Sequence, residues 1–272
     1  MKPLVTVIGT CRVHDPLKKM EKKGLLKLNN NPINQFVHNT DEIIQRISLL
    51  KNNMEYPEKL KKFIFDENKI FNSPTFELED SDIVIIEVSS GKMVSFGNHH
   101  LQMNRLVEYV KSDKANDFNK WMRKIRRKTK DGQIYEPFSG EELSESPFKM
   151  LNQLNLSLQN MERLTNSIKE ILHLTNEKII IVNHINLPKY DGTILSSREE
   201  LCLNIEILSN ELGFDLFNPT KIITKKGREN ILKDNGRDIN HYSNNGLEII
   251  GDKLIKKINN KISNMKLKEN KI

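Results

Sequence analysis

The sequence predicts an α/β fold, a three-layer α/β/α sandwich on a parallel sheet of five strands. Short apolar runs that end in turn residues alternate along the chain with longer amphipathic patterns at helical spacing. This alternation is typical of parallel strands joined by right-handed helical crossovers. The length of 272 residues suits one such sheet covered by helices on both faces. We therefore expect a single domain over residues 1–272.

The predicted strands are short apolar segments that end at small or polar residues. Leu4–Ile8 leads into a Gly-Thr-Cys-Arg turn, and residues 82–88 lead into Ser-Ser-Gly. The other three predicted strands are residues 33–37, 178–182 and 214–217. Parallel strands covered on both faces have such continuous apolar runs, because neither face meets water.

Helical patterns fill the intervals between these strands. A lysine-rich helix is expected after the first strand, to about residue 26, and the next begins at Thr40. The remaining predicted helices are residues 101–128, 149–175, 197–212 and 244–262, whereas residues 52–79 are predicted to be irregular. Residues 98–150 are expected to be a helical and loop insertion that forms a lid.

Composition excludes several classes of protein. Apolar residues make up 37% and charged residues 29%, which is enough for a core and too polar for a membrane or fibrous protein. No run reaches the roughly 20 apolar residues of a spanning helix, and no secretory signal pattern is present, so we expect a cytoplasmic protein. Cys11 and Cys202 are too few for a disulfide framework and are expected to be free thiols.

The formal net charge of +7 is concentrated in residues 120–130 and in the tail from Lys253. Clustered Lys and Arg side chains attract phosphates, so a nucleic acid or a phosphate-bearing substrate is one interpretation. Amphipathic helices with solvated basic faces account for both segments equally simply. We favour this second interpretation and do not expect nucleic acid as a partner.

Ligands of doubly wound sheets bind outside the carboxyl ends of the strands, so the turns there form the candidate site. His184 follows one strand and would either orient a substrate hydroxyl or serve as a structural histidine. Lys92 and Arg198 also lie near strand ends. Each would bind a carboxylate or phosphate, or form a surface ion pair.

A carboxylate and an imidazole lie three residues apart near the C-terminus, at Asp238 and His241. On a turn or the first turn of a helix, this spacing lets Asp238 reach one ring nitrogen, which leaves the other free to act as a base. The alternative is structural: Asp238 caps the last helix and His241 packs, with Ser243 and Asn244 as further candidate caps.

Cys11 is the candidate nucleophile because it follows a strand and begins a helix. Free backbone N–H groups and the positive helix end would lower the pKa of its thiol, and Arg12 and His14 would act in the same direction. The same N–H groups would hold an oxyanion during acyl transfer. The alternative is that Cys11 is a small buried hydrophobic residue.

These two motifs resemble the first and last blocks of the SGNH/GDSL hydrolase superfamily, which read Gly-Asp-Ser and Asp-x-x-His. The Gly-Thr-Cys of this chain is most similar to the GSCFA-like branch, some members of which are associated with bacterial surface polysaccharides. The resemblance implies a flavodoxin-like sheet and a triad of Cys11, His241 and Asp238. It aligns Thr10 with the aspartate of the family.

The chain departs from this superfamily where the oxyanion donors are expected. No glycine occurs between Gly24 and Gly91, and residues 89–92 read Ser-Ser-Gly-Lys in place of the family's Gly-x-Asn-Asp. Asn98 is one candidate for the missing amide. The backbone N–H groups of Ser90 and Gly91 are the other.

The sequence therefore predicts an esterase or an O-acyltransferase that acts on a carbohydrate-type substrate. His241 would take the proton of the Cys11 thiol or hold it in an ion pair, and the sulfur would attack an ester carbonyl. Backbone N–H groups of Cys11 and of the turn from Ser89 to Gly91 would stabilise the oxyanion. The alternative is a non-catalytic domain of the same fold that binds a polysaccharide precursor or a phosphorylated ligand.

The other predicted site residues, which would contact the oxyanion or the substrate, are Thr10, Arg12, Lys92, Asn98 and His184. No cofactor is expected to be required beyond an acyl donor such as acyl-CoA. Adjacent His99 and His100 point apart on a strand or helix, so no metal site is expected. The expected partner is a small-molecule or carbohydrate substrate, and the oligomeric state is left open.

Overall fold

A computed structural model describes residues 2–29, 36–51, 56–64, 78–113 and 154–269. Its strands are β1 Leu4–Ile8, β2 Lys27–Leu28, β3 Ile83–Val88, β4 Lys92–Phe96, β5 His99–His100, β6 Asn155–Leu158, β7 Ile179–Asn183, β8 Asp215–Phe217 and β9 Asp238–Tyr242. Its helices are α1 Cys11–Lys22, α2 Thr40–Leu50, α3 Glu58–Ile64, α4 Met103–Asp113, α5 Met161–Leu174, α6 Ser196–Leu212, α7 Pro219–Lys226, α8 Arg228–Ile231 and α9 Asn244–Glu269. A short 3-10 helix, Leu78–Asp80, precedes β3, and a turn over Lys233–Gly236 precedes β9.

The central sheet confirms the predicted fold class. Its five strands are parallel and lie in the order β2-β1-β3-β7-β8, which is the flavodoxin-like order. In this order the winding reverses between β1 and β3, so the ligand crevice is expected beside the carboxyl ends of these two strands. β1 ends at Ile8 and β3 ends at Val88, next to the turns that carry the predicted site.

The two faces of the sheet pack against separate helix layers. Val5 and Ile85 belong to one buried cluster together with Leu17 of α1 and Leu254 of α9. The opposite face forms a second cluster with α2, α5 and α6, which includes Ile86 of β3. Both faces are covered, which explains the continuous apolar runs and completes the three-layer sandwich.

A second, antiparallel sheet in the order β5-β4-β6 follows the carboxyl end of β3. It shares a smaller apolar cluster with α3 and α4, including Phe63 and Leu106. The helix predicted from residue 149 is therefore wrong over Asn155–Leu158. The short Asn-Leu-Ser-Leu segment fits both the helical and the strand periodicity, and pairing with β4 makes it a strand.

Two further element predictions are wrong. The second strand of the central sheet is β2, which pairs with β1 but is too short to produce an apolar pattern. In the predicted strand 33–37, the structure describes residues 36 and 37, and neither lies in a strand. The helix α3 lies inside the stretch predicted to be irregular.

The remaining predicted helices agree with the structure where it describes them. The predicted helix from residue 101 corresponds to α4, and the C-terminal helix extends to Glu269. Residues 114–150, which hold the basic run and most of the predicted lid, lie outside the described residues. The lid and the single-domain organisation therefore stay predictions. Within the described ranges, no helix is both long and apolar enough to cross a membrane.

Candidate active site

Cys11 is the first residue of α1, directly after the turn that ends β1. Thr10 is the N-cap: its Oγ1 accepts a hydrogen bond from Arg12 N at 3.4 Å, and its carbonyl accepts from His14 N at 3.1 Å. In the part of the chain that the structure describes, no other residue engages the N–H of Cys11. The partly exposed thiol thus lies at the positive end of a helix, beside its own backbone N–H, which engages the sulfur.

Glu87, near the end of β3, holds this turn in place. Its carboxylate is fully buried and accepts hydrogen bonds from Thr10 N at 2.9 Å, from Thr10 Oγ1, and from Arg12 Nε at 2.6 Å. Gly9 is required at this point because a Cβ there would lie 2.7 Å from Glu87 Cβ. A buried charge that is both paired and hydrogen-bonded fixes the backbone on either side of Cys11.

The prediction of a lowered Cys11 pKa is wrong, since the pKa is raised above its ordinary value of 9.0. Partial burial is the largest cause, because it disfavours the charged thiolate. Arg12 acts in the opposite direction, but Asp15 and Glu87 raise the pKa further. The resting thiol is therefore neutral at pH 7 and needs a base to become nucleophilic.

Asp238 and His241 form the hydrogen-bonded pair that their spacing predicts. Asp238 Oδ2 lies 2.7 Å from His241 Nδ1. The pair lies in the extended segment β9 rather than in a helical turn, and Asp238 Oδ1 also accepts from Asn240 N at 2.8 Å. This local turn brings the two side chains together. Ser243 caps the helix that follows, because its Oγ accepts from Gly246 N at 3.0 Å.

The electrostatics of Asp238 suit its contact with the imidazole. Partial burial raises the pKa of its carboxyl, but hydrogen bonds from Asn240 N and from His241 outweigh this and lower the pKa below its ordinary 3.8. An ionised Asp238 orients the ring through Nδ1 and leaves Nε2 for proton transfer. The His241 side chain is 50% exposed, so solvent and substrate can reach it.

The two motifs lie at the same end of the fold, where α1 packs against β9. Tyr242, the neighbour of His241, is buried, and its pKa is raised mainly by that burial. The charges of Glu87 and Arg12 also act on Tyr242, which puts β9 within electrostatic reach of the Cys11 turn. No hydrogen bond links Cys11 Sγ to the His241 ring among the described residues.

The structure changes the set of oxyanion donors. The backbone N–H groups of Ser89 and Ser90 both donate to the carbonyl of His38, at 2.8 and 2.9 Å, so they are not free to bind an oxyanion. Across the described ranges the Gly91 N–H donates to no residue. Gly91 and Cys11 therefore supply the backbone donors that remain from the predicted set.

Three predicted site residues have environments that limit their roles. Thr10 is buried and bonded to Glu87, so it supports the turn rather than contacting substrate. His184 is 4% exposed, and burial is the main reason why its pKa falls well below 6.5. Asn98 lies in the turn between β4 and β5 and lines a separate cavity with Asp41 and Arg163.

A cleft with a volume of about 440 Å³ opens between the end of β3, the start of α5 and the start of α6. Its polar lining comes from Ser89, Ser90, Gly91, Lys92, Gln159, Asn160, Ser197, Arg198, Glu200 and Asn204. Arg198 Nη2 donates to Asn240 Oδ1 at 3.1 Å, and Asn240 lies next to His241 in β9. Through this hydrogen bond, Arg198 links the cleft lining to β9, the segment that carries Asp238 and His241.

Neither Glu87 nor His38 was predicted from the sequence as a site residue. Glu87 carries a signal, because a charged residue inside an otherwise apolar buried strand must have a partner. His38 acts through its backbone carbonyl, which any residue could supply, and no sequence signal marks it.

Residues 3–257 match the model of the family described as the TviD N-terminal domain. A similar curated protein is the Vi polysaccharide biosynthesis protein TviD of Salmonella typhi, which is 25% identical over 264 residues. The match covers 92% of this chain and 30% of the relative, so this chain spans less than a third of the relative's length.

Solved structures with a similar arrangement include a lipase/acylhydrolase from Enterococcus faecalis, with 12% identity, 95% coverage of both chains and a TM-score of 0.41. Another is a GDSL-like lipase from Bacteroides thetaiotaomicron, with 9% identity, coverage of 94% and 88%, and a TM-score of 0.42. At such scores the strand order, rather than these structures, defines the fold. Assignment to the GSCFA-like branch stays a prediction. Because the model of the TviD N-terminal domain family matches residues 3–257, nearly the whole sequence, this chain belongs to that family.

Proposed function

We propose that this protein transfers an acyl group to or from a hydroxyl of a carbohydrate through Cys11, His241 and Asp238. The observation that carries the proposal is the Asp238–His241 hydrogen bond of 2.7 Å, on a segment packed against the helix that begins at Cys11. The name of the Salmonella relative, a polysaccharide biosynthesis protein, supports a carbohydrate as the acceptor or the ester.

The first half of the proposed reaction forms a thioester. His241 Nε2 removes the proton from Cys11 Sγ, and the sulfur attacks the carbonyl carbon of the acyl donor. The carbonyl oxygen becomes an oxyanion held by the N–H groups of Cys11 and Gly91. When the tetrahedral intermediate collapses, the bond to the leaving group breaks and His241 returns the proton to that group.

The second half releases the acyl group. His241 takes a proton from a sugar hydroxyl or from water, and the resulting oxygen nucleophile attacks the thioester carbon. The carbon–sulfur bond breaks, and the proton passes back to the sulfur of Cys11. A sugar hydroxyl gives an O-acyltransferase and water gives an esterase. The acyl donor is an activated thioester of the acyl-CoA class or an ester, and no other cofactor takes part in this scheme.

A second candidate is a non-catalytic domain that binds a polysaccharide precursor or phosphorylated ligand. Two observations favour it: the raised pKa of Cys11, and the lack of a Cys11–His241 hydrogen bond among the described residues. A neutral thiol of this kind is also found in structural cysteines.

The decisive experiment follows acetyl transfer from p-nitrophenyl acetate and acetyl-CoA, with mass spectrometry of the trapped protein. We expect an acetyl adduct on Cys11, and loss of turnover in Cys11→Ala and His241→Ala with little change in melting temperature. Cys202→Ser is the matched control, because Cys202 is buried and its Sγ donates only to the His184 carbonyl. Unchanged turnover in Cys11→Ala, or no adduct on Cys11, would favour the binding domain.

A further inference from the structure

Arg198 is a half-buried cation without a carboxylate partner. Its Nη1 donates to Ile185 O at 3.1 Å and its Nη2 donates to Asn240 Oδ1 at 3.1 Å, and both acceptors are neutral. No described carboxylate forms an ion pair with it. Burial, followed by the charge of Arg12, lowers the pKa of Arg198 to about 10, so the guanidinium still carries its charge at neutral pH.

The buried carboxylate of Glu87 raises the pKa of Arg198, but burial and the charge of Arg12 outweigh it. Glu87 is already bound by Arg12 Nε at 2.6 Å and by Thr10. The guanidinium groups of Arg12 and Arg198 therefore repel each other, and the carboxylate of Glu87 is paired with Arg12 rather than with Arg198. Removing an unbalanced charge from water is unfavourable, so such a site gains stability when an anion enters.

Lys92 adds a second positive charge to the same cleft. Its backbone is fixed, since its N–H donates to Ser90 Oγ at 3.0 Å and its carbonyl accepts from Asn39 Nδ2 at 3.0 Å. Within the described residues the ammonium group makes no ion pair or hydrogen bond. Among the described residues, the acidic side chain of the cleft lining is Glu200, which is exposed and forms an ion pair with neither Lys92 nor Arg198.

We propose that this cleft is a subsite for an anionic group, a carboxylate or a phosphate, held by Arg198 and Lys92. Arg198 offers a planar fork and Lys92 a mobile ammonium group, a combination suited to both kinds of anion. The role of this anion as part of a substrate rests on the proposed function. The bound group would lie beside Asn240 and therefore next to His241 in the chain.

The test measures binding without turnover, in a Cys11→Ala background, by calorimetric titration with pyrophosphate and with glucuronate. We expect Lys92→Gln and Arg198→Gln each to weaken binding of at least one probe by about tenfold or more, and Arg198→Lys to weaken it less. Lys225→Gln is the matched control, because Lys225 is exposed and lies outside the cleft. Among the described residues, the Lys92 ammonium group forms no hydrogen bond or ion pair that its replacement would break, so Lys92→Gln stays informative if Arg198→Gln unfolds.

The two probes separate the sources of the anion. Loss of pyrophosphate binding alone would assign the subsite to a phosphate-bearing acyl donor, and loss of glucuronate binding alone would assign it to an acidic sugar. The inference is overturned if neither probe binds, or if Lys92→Gln and Lys225→Gln bind both probes equally well. Failure of the proposed function would appear differently, as unchanged turnover in Cys11→Ala with anion binding intact.

Discussion

The two halves of the candidate site differ in how they are held. On the Cys11 side, the side chains of Arg12 and Glu87 are 11% and 1% exposed and form a buried ion pair. On the His241 side, the ring is 50% exposed and Asp238 is 25% exposed. The Cys11 turn is thus fixed by a buried ion pair, whereas the Asp238 and His241 side chains are oriented by a hydrogen bond that solvent can reach.

This difference predicts that the buried pair mainly stabilises the fold and that the exposed pair mainly serves the reaction. A buried ion pair is costly to break, because the remaining charge is left without water or a partner. An exposed pair contributes little to stability, since solvent screens it. Changes to the Arg12–Glu87 ion pair should therefore mainly affect folding, and changes to the Asp238–His241 pair should mainly affect turnover.

The largest expected effect comes from Asp238→Asn. Losing the carboxylate leaves the His241 tautomer and ring orientation unsupported, so turnover should fall by about 10²–10⁴-fold. Stability should change by less than about 1 kcal/mol, because the pair is exposed. Steady-state kinetics and urea unfolding measure the two effects. A large loss of stability with unchanged turnover would contradict the expectation that the Asp238–His241 pair mainly serves the reaction.

The same variant has a defined pH signature. The pKa of Asp238 is lowered in the folded state, so its contribution to stability is present above about pH 3.8 and is lost as pH falls through the folded value. Melting temperatures of Asp238→Asn should therefore fall less steeply than those of the wild type below pH 4. Parallel acid profiles would show that the carboxylate makes no such contribution.

The next largest effect is expected from Glu87→Leu, which leaves Arg12 buried and unpaired. The free energy of unfolding should fall by about 3–5 kcal/mol, measured by urea denaturation. The double variant Glu87→Leu/Arg12→Leu should regain part of this loss, because neither charge is then left alone. If Glu87→Leu and Asp238→Leu lower the free energy of unfolding equally, the two halves of the site do not differ in how much they stabilise the fold.

The smallest expected effect is the difference between the alkylation rates of Cys11 and Cys202. Burial raises the pKa of Cys202 to about 12, and Cys202 is 5% exposed, whereas Cys11 is partly exposed. Iodoacetamide should modify Cys11 at least about tenfold faster than Cys202 at pH 8. The Cys11 rate should keep rising above pH 9.0, because its pKa is raised. Peptide mass mapping over time checks both expectations, and faster labelling of Cys202 would refute them.

Much of the fold was predictable because its buried parallel strands are continuous apolar runs. The strands that end at Ile8, Val88 and Asn183 carry the main part of the sheet, and sequence alone marks them. β2 and the small sheet were missed, since short strands acquire their identity from pairing partners rather than from a pattern of their own.

The candidate site was predictable where residues act through side chains close in sequence. The contact between Asp238 and His241 follows from their spacing. The oxyanion donors and the Cys11 pKa were not predictable, because they depend on groups distant in sequence. The carbonyl of His38 engages the Ser90 N–H, and Glu87 offsets the effect of Arg12 on the thiol.

The raised pKa of Cys11 should make its sulfur less sensitive to oxidation by peroxides. Peroxides react with thiolates far faster than with thiols, so a sulfur that stays protonated at rest resists conversion to sulfenic and sulfinic acids. In the proposed scheme, the sulfur is exposed to such damage only during the short interval in which His241 holds its proton.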